Sequence, residues 1–552
     1  MGWLRNMLIR VVGWLSKRLF DFALLLRLFA LVLEREAARS RPNDDSDDAQ
    51  GRIDDGKAWL DFCDSLRGLV DFVMVGASPP DLLPGVSQQP VSPVGAIAPG
   101  GAASGDDHGG DDSPLDCGRG RGRVSREVAG VQLDSLDRRE GLRYFTRMMR
   151  AGLEAFMDCW DPAYPVLRPL PYNVKLGADN PDNLYMYGTV SGAFEYRLYG
   201  NRGSVTYLSF GCYCGSRPGQ GFSQPAHLNS SELVTLPDGS FEIWLTSRPQ
   251  GDNWLRLPPD ASRLVVRQSF LDRGKEVAAE VNIERLPLAA EGCGGSGRAA
   301  VTTKVGASGA ASIPMQDCDG KELKPPLSAG QVVAGITGAA VFIAGSIRQF
   351  QTWSQIFATR PNTLFTLDHD VYMSAWADPA IHFFHGYWRL NPEEVLLIQV
   401  TPPDCPYWNF QVDNWWMESL DHIAHPETTT NKATASYMPD GSLCLVVAHT
   451  DPRVMITRAD GGPVEGREGE GGSLAALLPP RVLAGVTWIS TAHHAHGTMG
   501  LRWVLARQHP VPRSRVVRLG CPLARAILEG VSGGGEEGRV AVHFNARGLG
   551  SG

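Results

Sequence analysis

The chain has 552 residues, of which 43% are apolar, and a formal net charge of −8 at pH 7. Such a length can form several hydrophobic cores. The mild acidic charge and the lack of a long Lys/Arg stripe in the compact region disfavour nucleic-acid binding, because that function needs many phosphates to be neutralised.

The first element in the chain is a basic amphipathic helix within residues 1–40. Over residues 3–33, apolar positions recur every three or four residues, and Arg5, Arg10 and Lys17 fall outside that stripe. The charges interrupt each apolar run before the ~20 residues of a spanning helix. The pattern predicts a helix that lies on a membrane surface or directs the chain to an organelle, with docking on a protein as the alternative.

Residues 41–125 are predicted to be a mostly disordered linker with one short helical candidate at 58–75. The reason is that residues 77–124 are rich in Gly, Pro, Ala, Ser and Asp and have almost no aromatic residues. The first β-rich half is predicted at 126–290. It opens with a helix capped by Ser135 that extends to Cys159. Residues 182–210 alternate aromatic and polar positions around a turn at 199–203, which indicates a hairpin.

A second linker is predicted at 291–325 and a second β-rich half at 326–515, with an inserted loop at 458–483 and a tail at 516–552. Residues 325–347 carry no charge, and their length permits a transmembrane span. They are rich in Gly, Ala, Ser and Thr and continue in helical register to Trp353, so we favour a buried soluble helix.

The two halves repeat one pattern. Tyr187-Gly188 corresponds to His385-Gly386, and a Pro-Asp-Gly-Ser turn ends at Ser240 in one half and at Ser442 in the other. Later in each half, the pattern matches Trp254 with Trp488, and the run 264–267 with the run 501–504. Short strands, Pro-Asp-Gly turns and one repetition predict a mainly β protein with two tandem jelly-roll or β-sandwich halves and a few packing helices.

Motifs that would identify a reaction or a cofactor are missing. The sequence has no Gly-x-Ser-x-Gly elbow, phosphate loop, dinucleotide fingerprint or His-Glu-x-x-His motif. The ten cysteines are spaced too widely for a zinc ribbon or a disulfide framework. No particular cofactor is therefore predicted, although catalytic groups from distant strands can still meet in a fold.

Two polar or aromatic clusters are candidate ligand sites. Asn180, Asp182, Asn183 and Tyr185 lie beside a strand start, where they could bind a sugar or carboxylate, or else form an Asx-rich turn that satisfies its own backbone. In the densest aromatic region the candidates are Trp408, Asn414 and Trp416; stacking on a ligand and packing in the inter-sheet core are the two interpretations.

Titratable residues give the candidates for catalysis and metal binding. His382, His385 and His494 are candidate metal ligands. His382 and His385 are three residues apart, however, so on a straight strand their side chains would face opposite sides. For acid–base catalysis, His494 would pair with Asp182 or Glu418. Ordinary strand or turn histidines are the alternative.

Several stretches together resemble the mostly bacterial, uncharacterised DUF1254/DUF1214-type proteins over about residues 134–515. The resemblance implies a jelly-roll-like architecture and no established activity. One departure is that Ser490 and His493 stand where the family pattern has Asp and Gly, whereas His494 matches. The matching stretches are Asp179-Asn-Pro-Asp-Asn-Leu-Tyr185, Gly200-Asn-Arg-Gly203, Arg267-Gln-Ser-Phe-Leu-Asp-Arg273, Trp416-Met-Glu-Ser-Leu-Asp421 and Thr491–Trp503.

These observations leave three classes of function. The first is a membrane-associated β-sandwich protein that binds a small molecule or a carbohydrate, which needs only aromatic residues and polar turns. The second is a metal-assisted or acid–base hydrolytic enzyme, which needs the titratable groups to converge. The third is a structural or interaction module.

Overall fold

The fold was analysed in a computed structural model of the whole chain. It describes residues 133–214, 226–286, 324–373, 375–453 and 474–532, together with residues 63, 64, 66 and 131. The predicted helix at 3–33, most of the two predicted linkers, and residues 458–473 of the predicted loop lie outside the described residues.

The first half is a sandwich of two sheets. One is a five-stranded sheet of order β1-β2-β8-β4-β5, and the other is a four-stranded sheet of order β7-β6-β3-β9. The strands are β1 (Arg168–Pro169), β2 (Asn183–Thr189), β3 (Tyr196–Asn201), β4 (Tyr207–Cys214), β5 (Ala226–Asn229), β6 (Ser240–Thr246), β7 (Trp254–Arg256), β8 (Ala261–Ser269) and β9 (Glu280–Arg285).

The second half repeats this topology. Its five-stranded sheet has the order β10-β11-β17-β13-β14, and its four-stranded sheet has the order β16-β15-β12-β18. The strands are β10 (Thr363–Phe365), β11 (Ile381–Arg389), β12 (Glu394–Val400), β13 (Tyr407–Val412), β14 (Thr429–Asn431), β15 (Leu443–Ala448), β16 (Val486–Ser490), β17 (His496–Val504) and β18 (Arg513–Arg518).

The repeat extends to single residues. In each four-stranded sheet one pair of strands is parallel, β6 with β7 and β15 with β16, while the other strand pairs are antiparallel. Trp254 donates its indole N–H to the carbonyl of Thr246, and Trp488 donates to the carbonyl of Ala448, at matching positions. The predicted mainly β fold with two sandwich halves is confirmed.

The predicted hairpin around residues 199–203 is wrong. Strand β3 pairs with β6 and β9, whereas β4 pairs with β5 and β8, so the chain crosses from one sheet to the other at this turn. Gly203 has φ +59° there, and an added Cβ would lie 2.4 Å from the carbonyl oxygen of Val277. Alternation predicted both strands but could not tell a hairpin from a crossing between sheets, because both need the same kind of turn.

Besides the strands, the structure describes a 3-10 helix at Pro426–Thr428, helical residues at 63, 64 and 66, two longer α-helices and four short ones. The six α-helices are numbered in chain order. They are α1 (Ser135–Leu153), extended by a π-helical turn at Glu154–Asp158, α2 (Ala329–Ala358), α3 (His369–Met373), α4 (Leu474–Leu477), α5 (Pro480–Leu483) and α6 (Cys521–Ser532).

Both longer helices begin with a capping box. The N-cap of α1 is Asp134 and not the predicted Ser135; its carboxylate accepts hydrogen bonds from the N–H groups of Leu136 and Asp137. The N-cap of α2 is Ser328. Among the described residues, α2 is the helix long and apolar enough to cross a membrane, and 39% of its most apolar window is buried. Its buried residues pack with α1 in a core that also contains Trp415 and Trp416.

The second half extends beyond its predicted boundary. Residue 515 lies inside β18, which pairs with β12, and Leu523 and Ile527 of α6 are buried in a core with Val395 and Leu397. Helices α4 and α5 lie at the end of the segment predicted as an inserted loop, and Leu474 and Val482 are buried in the same core. Apolar burial therefore continues to at least Ile527.

Candidate functional site

The two five-stranded sheets and α2 line a cavity of about 730 Å³ that is partly open to solvent. Side chains from both halves line it, so neither half forms it alone. Its aromatic lining consists of Phe156, Trp160, Tyr185, Tyr187, Phe342, Phe350, Trp353, Tyr372, Trp376 and Phe383.

Two arginines occupy equivalent positions in the wall of this cavity. Arg267 on β8 lies between Tyr185 on β2 and Ser209 on β4. Arg502 on β17 lies between Phe383 on β11 and Asn409 on β13. Arg267 is 8% exposed and Arg502 is 4% exposed. The repeat thus places one buried arginine from each half in the same cavity.

Each arginine holds a segment of the opposite half. Arg502 donates a hydrogen bond to the carbonyl of Ala178, and Arg267 donates one to the carbonyl of Trp376. We call residues 178–182 the first hook and residues 376–380 the second hook. Ala178 and Trp376 have φ +57° and +61°, a left-handed conformation that is uncommon for residues other than glycine. The same backbone feature therefore presents a carbonyl to the opposite arginine in both halves.

The hooks also exchange side-chain bonds with the opposite sheet. From the first hook, Asn180 donates to the hydroxyl of Tyr407 at 2.9 Å. In the second, Asp378 accepts hydrogen bonds from the hydroxyls of Tyr207 at 3.0 Å and Ser209 at 2.6 Å. Tyr207 and Tyr407 are equivalent in the strand registers. These reciprocal bonds fix the two halves around the cavity.

Burial and neighbouring charge shift the pKa values of several groups at the cavity. Burial raises the pKa of Asp378. The hydrogen bond from His227 and the charges of His227 and Arg267 outweigh burial and hold that pKa well below its ordinary value. Burial likewise opposes charge on Arg267, yet Tyr213 and Asp378 raise the pKa of Arg267 above its ordinary value. Both groups are therefore ionised at neutral pH.

His385 contributes a neutral imidazole to the cavity. Burial and the charge of Arg502 lower the pKa of His385 to about 3. The ring stacks on Phe357, with centroids 5.4 Å apart. Its Nδ1 atom is buried and has no hydrogen-bond partner among the described residues. A neutral imidazole offers one donor and one acceptor, so His385 can orient a polar group of a ligand.

The residues of the predicted polar cluster lie in the cavity wall or in the first hook, and Asn180 belongs to both. Asn180, Asn183 and Tyr185 line the cavity. The backbone N–H of Asn180 donates to the Tyr185 hydroxyl at 3.0 Å. Asp182 instead accepts hydrogen bonds from Tyr407 at 2.7 Å and from Asn431 at 3.0 Å. Asp182 thus holds the halves together.

The predicted aromatic candidates lie in cores. Trp408 packs in the sandwich core of the second half, edge to face with Trp503 at a centroid distance of 6.1 Å. Trp416 packs in the core with α1 and α2, and its indole N–H donates to the carbonyl of Asp137 at 2.7 Å. Asn414 accepts the N–H groups of Trp416 and Glu418. These contacts match the core interpretation of this region.

The predicted catalytic residues His494 and Glu418 belong to one buried polar network between α1 and the second half. His494 Nε2 lies 3.0 Å from Glu140 Oε2. Glu418 binds Arg147 at 2.6 Å and accepts a hydrogen bond from Asn414 at 3.0 Å. None of these residues lines the cavity described above. The network docks α1, and Asp182 lies outside it.

The three predicted metal ligands have separate surroundings. His382 Nε2 lies 3.3 Å from the Thr366 hydroxyl, and its ring stacks on His509 at 4.0 Å. His385 lines the cavity, and His494 binds Glu140. A different group, Asp134, Asp137 and His496, has its ligand atoms within 4.8 Å of one another. The two aspartates of that group already form the capping box of α1.

The sequence interpretation missed Arg267, Arg502 and Trp376. The sequence comparison paired the run 264–267 with the run 501–504 by their apolar residues. That pairing is displaced by two positions from the equivalence in the structure. In the strand registers, Gly188 faces Leu264 and Gly386 faces Met499, which makes Arg267 equivalent to Arg502. Sequence counting could not have aligned the two arginines, because Arg267 follows Gly188 by 79 positions whereas Arg502 follows Gly386 by 116.

A solved structure of an uncharacterised protein from Burkholderia cenocepacia is similar to this chain. Sequence identity is 30%, the alignment covers 84% of this chain and 97% of that one, and the TM-score is 0.61. A Vibrio parahaemolyticus protein matches at 12% identity over 68% of this chain and 98% of that one, with a TM-score of 0.34. No protein-family profile and no curated protein matches the chain.

Proposed function

The chain belongs to the same family as the uncharacterised Burkholderia cenocepacia protein, and we propose that it binds a small molecule in the cavity between its two halves. The observation that carries this proposal is the cavity of about 730 Å³, which both halves and α2 line. Ligand pockets typically have volumes of about 300–1,000 Å³ and apolar or aromatic walls with a few polar groups.

Polar atoms in the lining support a specific ligand. His385 Nδ1 and Asn183 Oδ1 are buried without hydrogen-bond partners among the described residues. A buried polar atom without a partner costs about 1–3 kcal/mol. A bound ligand offsets that cost if small movements of the neighbouring side chains let it hydrogen-bond to these atoms, each of which has less than 1 Å² of accessible surface. Rings such as Tyr187 and Trp376, with centroids 6.5 Å apart, provide flat apolar contacts beside them.

The alternatives have less support. In a hydrolytic enzyme, His494 would need access to a substrate, yet its described partners are Glu140 and backbone carbonyls at the docking surface of α1. A carbohydrate site on Trp408 and Trp416 would require those buried rings to be exposed. Membrane association through residues 3–33 and membership of the DUF1254/DUF1214 type remain parts of the proposal that rest on sequence alone.

A glycine in α2 permits a direct test. A Cβ added at Gly345 meets no atom within 4 Å, and Gly345 lines the cavity. Gly345→Phe therefore adds a ring at the cavity lining, and its Cβ meets no other atom within 4 Å. Gly330→Phe is the matched control, because an added Cβ there also meets no atom within 4 Å and Gly330 lies outside the cavity lining.

The measurement is the fluorescence titration of the purified full chain with N-phenyl-1-naphthylamine, a neutral aromatic probe. We expect saturable binding to the wild type and to Gly330→Phe, and a loss of at least about tenfold in affinity for Gly345→Phe, because about 1.4 kcal/mol of lost contact is tenfold. Equal binding by all three proteins, each with an unchanged melting temperature, would contradict the proposed cavity site.

A further inference from the structure

The cavity has an excess of positive charge. Its lining includes Arg263, Arg267 and Arg502, against two carboxylates, Asp179 and Asp378. Both carboxylates already have partners: Asp179 accepts hydrogen bonds from the N–H and hydroxyl of Ser419, and Asp378 lies 2.9 Å from His227 Nε2. The two aspartates are thus occupied with holding other groups in place.

Neither Arg267 nor Arg502 forms an ion pair with a carboxylate among the described residues. Arg502 donates to the side-chain oxygens of Asn409 and Gln411, at 3.2 and 2.7 Å, as well as to Ala178. Arg267 donates to the hydroxyl of Tyr213 at 2.9 Å and to Trp376. A guanidinium has five N–H donors, so these bonds leave donors on both arginines. The charge of Asp378 stabilises Arg267 without a direct ion pair, so both guanidinium groups keep N–H donors for an anionic ligand.

We propose that the ligand of the cavity is an amphipathic organic anion, with its acidic group bound by Arg267 and Arg502 and its apolar body packed on the aromatic walls. This inference rests on the proposed small-molecule function and specifies its chemical class. Arginine suits carboxylate and phosphate groups because its planar fork donates two parallel hydrogen bonds. Tyr185, opposite Arg267, and Phe383, opposite Arg502, place rings beside both charges.

The first arm of the test changes the ligand and leaves the protein intact. Dodecanoate, dodecyl phosphate and dodecanol are compared, below their micelle concentrations, as competitors of N-phenyl-1-naphthylamine on the wild type. We expect one or both of the anions to bind at least about tenfold more tightly than dodecanol, because hydrogen bonds to charged groups contribute about 1.5–3 kcal/mol. The stronger anion identifies a carboxylate or a phosphate head group.

The second arm changes the protein. Arg502→Gln removes the charge and keeps a side-chain amide, whereas Arg502→Lys keeps a charge without the fork. For the preferred anion we expect a loss of at least about tenfold in Arg502→Gln and a smaller loss in Arg502→Lys, and in both variants the anion should lose more affinity than dodecanol. If neither variant folds, as judged by its melting temperature, the ligand comparison on the wild type decides.

The outcomes separate this inference from the proposed function. If dodecanol competes as well as both anions, and Gly345→Phe abolishes its binding, the cavity binds ligands but has no preference for anions, and the inference is wrong. If no competitor binding responds to Gly345→Phe, the cavity site itself is wrong. Tighter binding of an anion that Gly345→Phe abolishes supports both.

Discussion

The two hooks hold the same geometry with different chemistry. In the first hook, Asn180 is neutral and its side chain bonds to Tyr407 and Asn409. The equivalent position in the second hook is Asp378, a fully ionised carboxylate that bonds to Tyr207 and Ser209 and lies beside His227. The repeat has therefore preserved where the backbone and the arginines lie, while this one position is neutral in the first hook and ionised in the second.

The largest expected effect breaks the charged contact. Asp378→Ala leaves His227 and two hydroxyls without their buried acceptor, and removal of one partner from a buried charged network costs about 3–5 kcal/mol. Asn180→Ala removes neutral hydrogen bonds, for which we expect about 1–2 kcal/mol. The free energies of unfolding in urea compare the two variants. Equal losses would show that the charge does not distinguish the hooks.

A third variant separates the charge from the shape of this side chain. Asp378→Asn keeps the volume and removes the ionisation. Because the folded pKa of Asp378 lies below its ordinary value of 3.8, the carboxylate stabilises the fold above that pH and loses this contribution as pH falls through the folded pKa. The stability difference between wild type and Asp378→Asn should therefore be largest near neutral pH and shrink in acid.

A stability effect of intermediate size is expected where α1 docks on the second half through the contact of His494 with Glu140. Burial opposes both charges, but the hydrogen bond between the two groups raises the pKa of His494 and lowers that of Glu140. The His494 contribution is complete below its ordinary pKa of 6.5 and is lost as pH rises through the raised value. The Glu140 contribution is present above 4.5 and is lost as pH falls through the lowered value.

The pair should therefore stabilise the protein most between these two ordinary values. We expect His494→Gln to lose about 1–2 kcal/mol at about pH 5.5 and less at about pH 9, as measured by urea unfolding at each pH. Glu140→Gln is the control and should give the same pH profile. A loss that does not vary with pH would mean that the contact acts through packing and not through charge.

The smallest effect concerns the repeated turns. Gly239 and Gly441 have φ +82° and +81°, so alanine is strained at both positions. We expect Gly441→Ala to cost about 1 kcal/mol. Gly239→Ala should cost more, because its Cβ would lie 3.1 Å from Asn201 Oδ1, whereas at Gly441 no atom lies within 4 Å. Thermal unfolding measures both, and a smaller loss at Gly239 would contradict this account.

Local patterns predicted the strands but not their partners. Alternation identified the strands around Tyr199 and Tyr207, and yet β3 and β4 belong to different sheets. Helix α1 was predicted, and its N-cap differed by one residue. Among the candidate residues, Asn180, Asn183, Tyr185 and His385 line the cavity, whereas Trp408 and Trp416 are in cores.

The sequence by itself determined the mainly β fold and the duplication, because alternating apolar residues and Pro-Asp-Gly turns act over a few neighbouring positions. Only the tertiary structure decided the site. Arg267 and Arg502 are 235 positions apart by their numbers, and they share a cavity because each binds a carbonyl in the opposite half. Contacts of that kind depend on how two completed sandwiches meet, and no local periodicity carries that information.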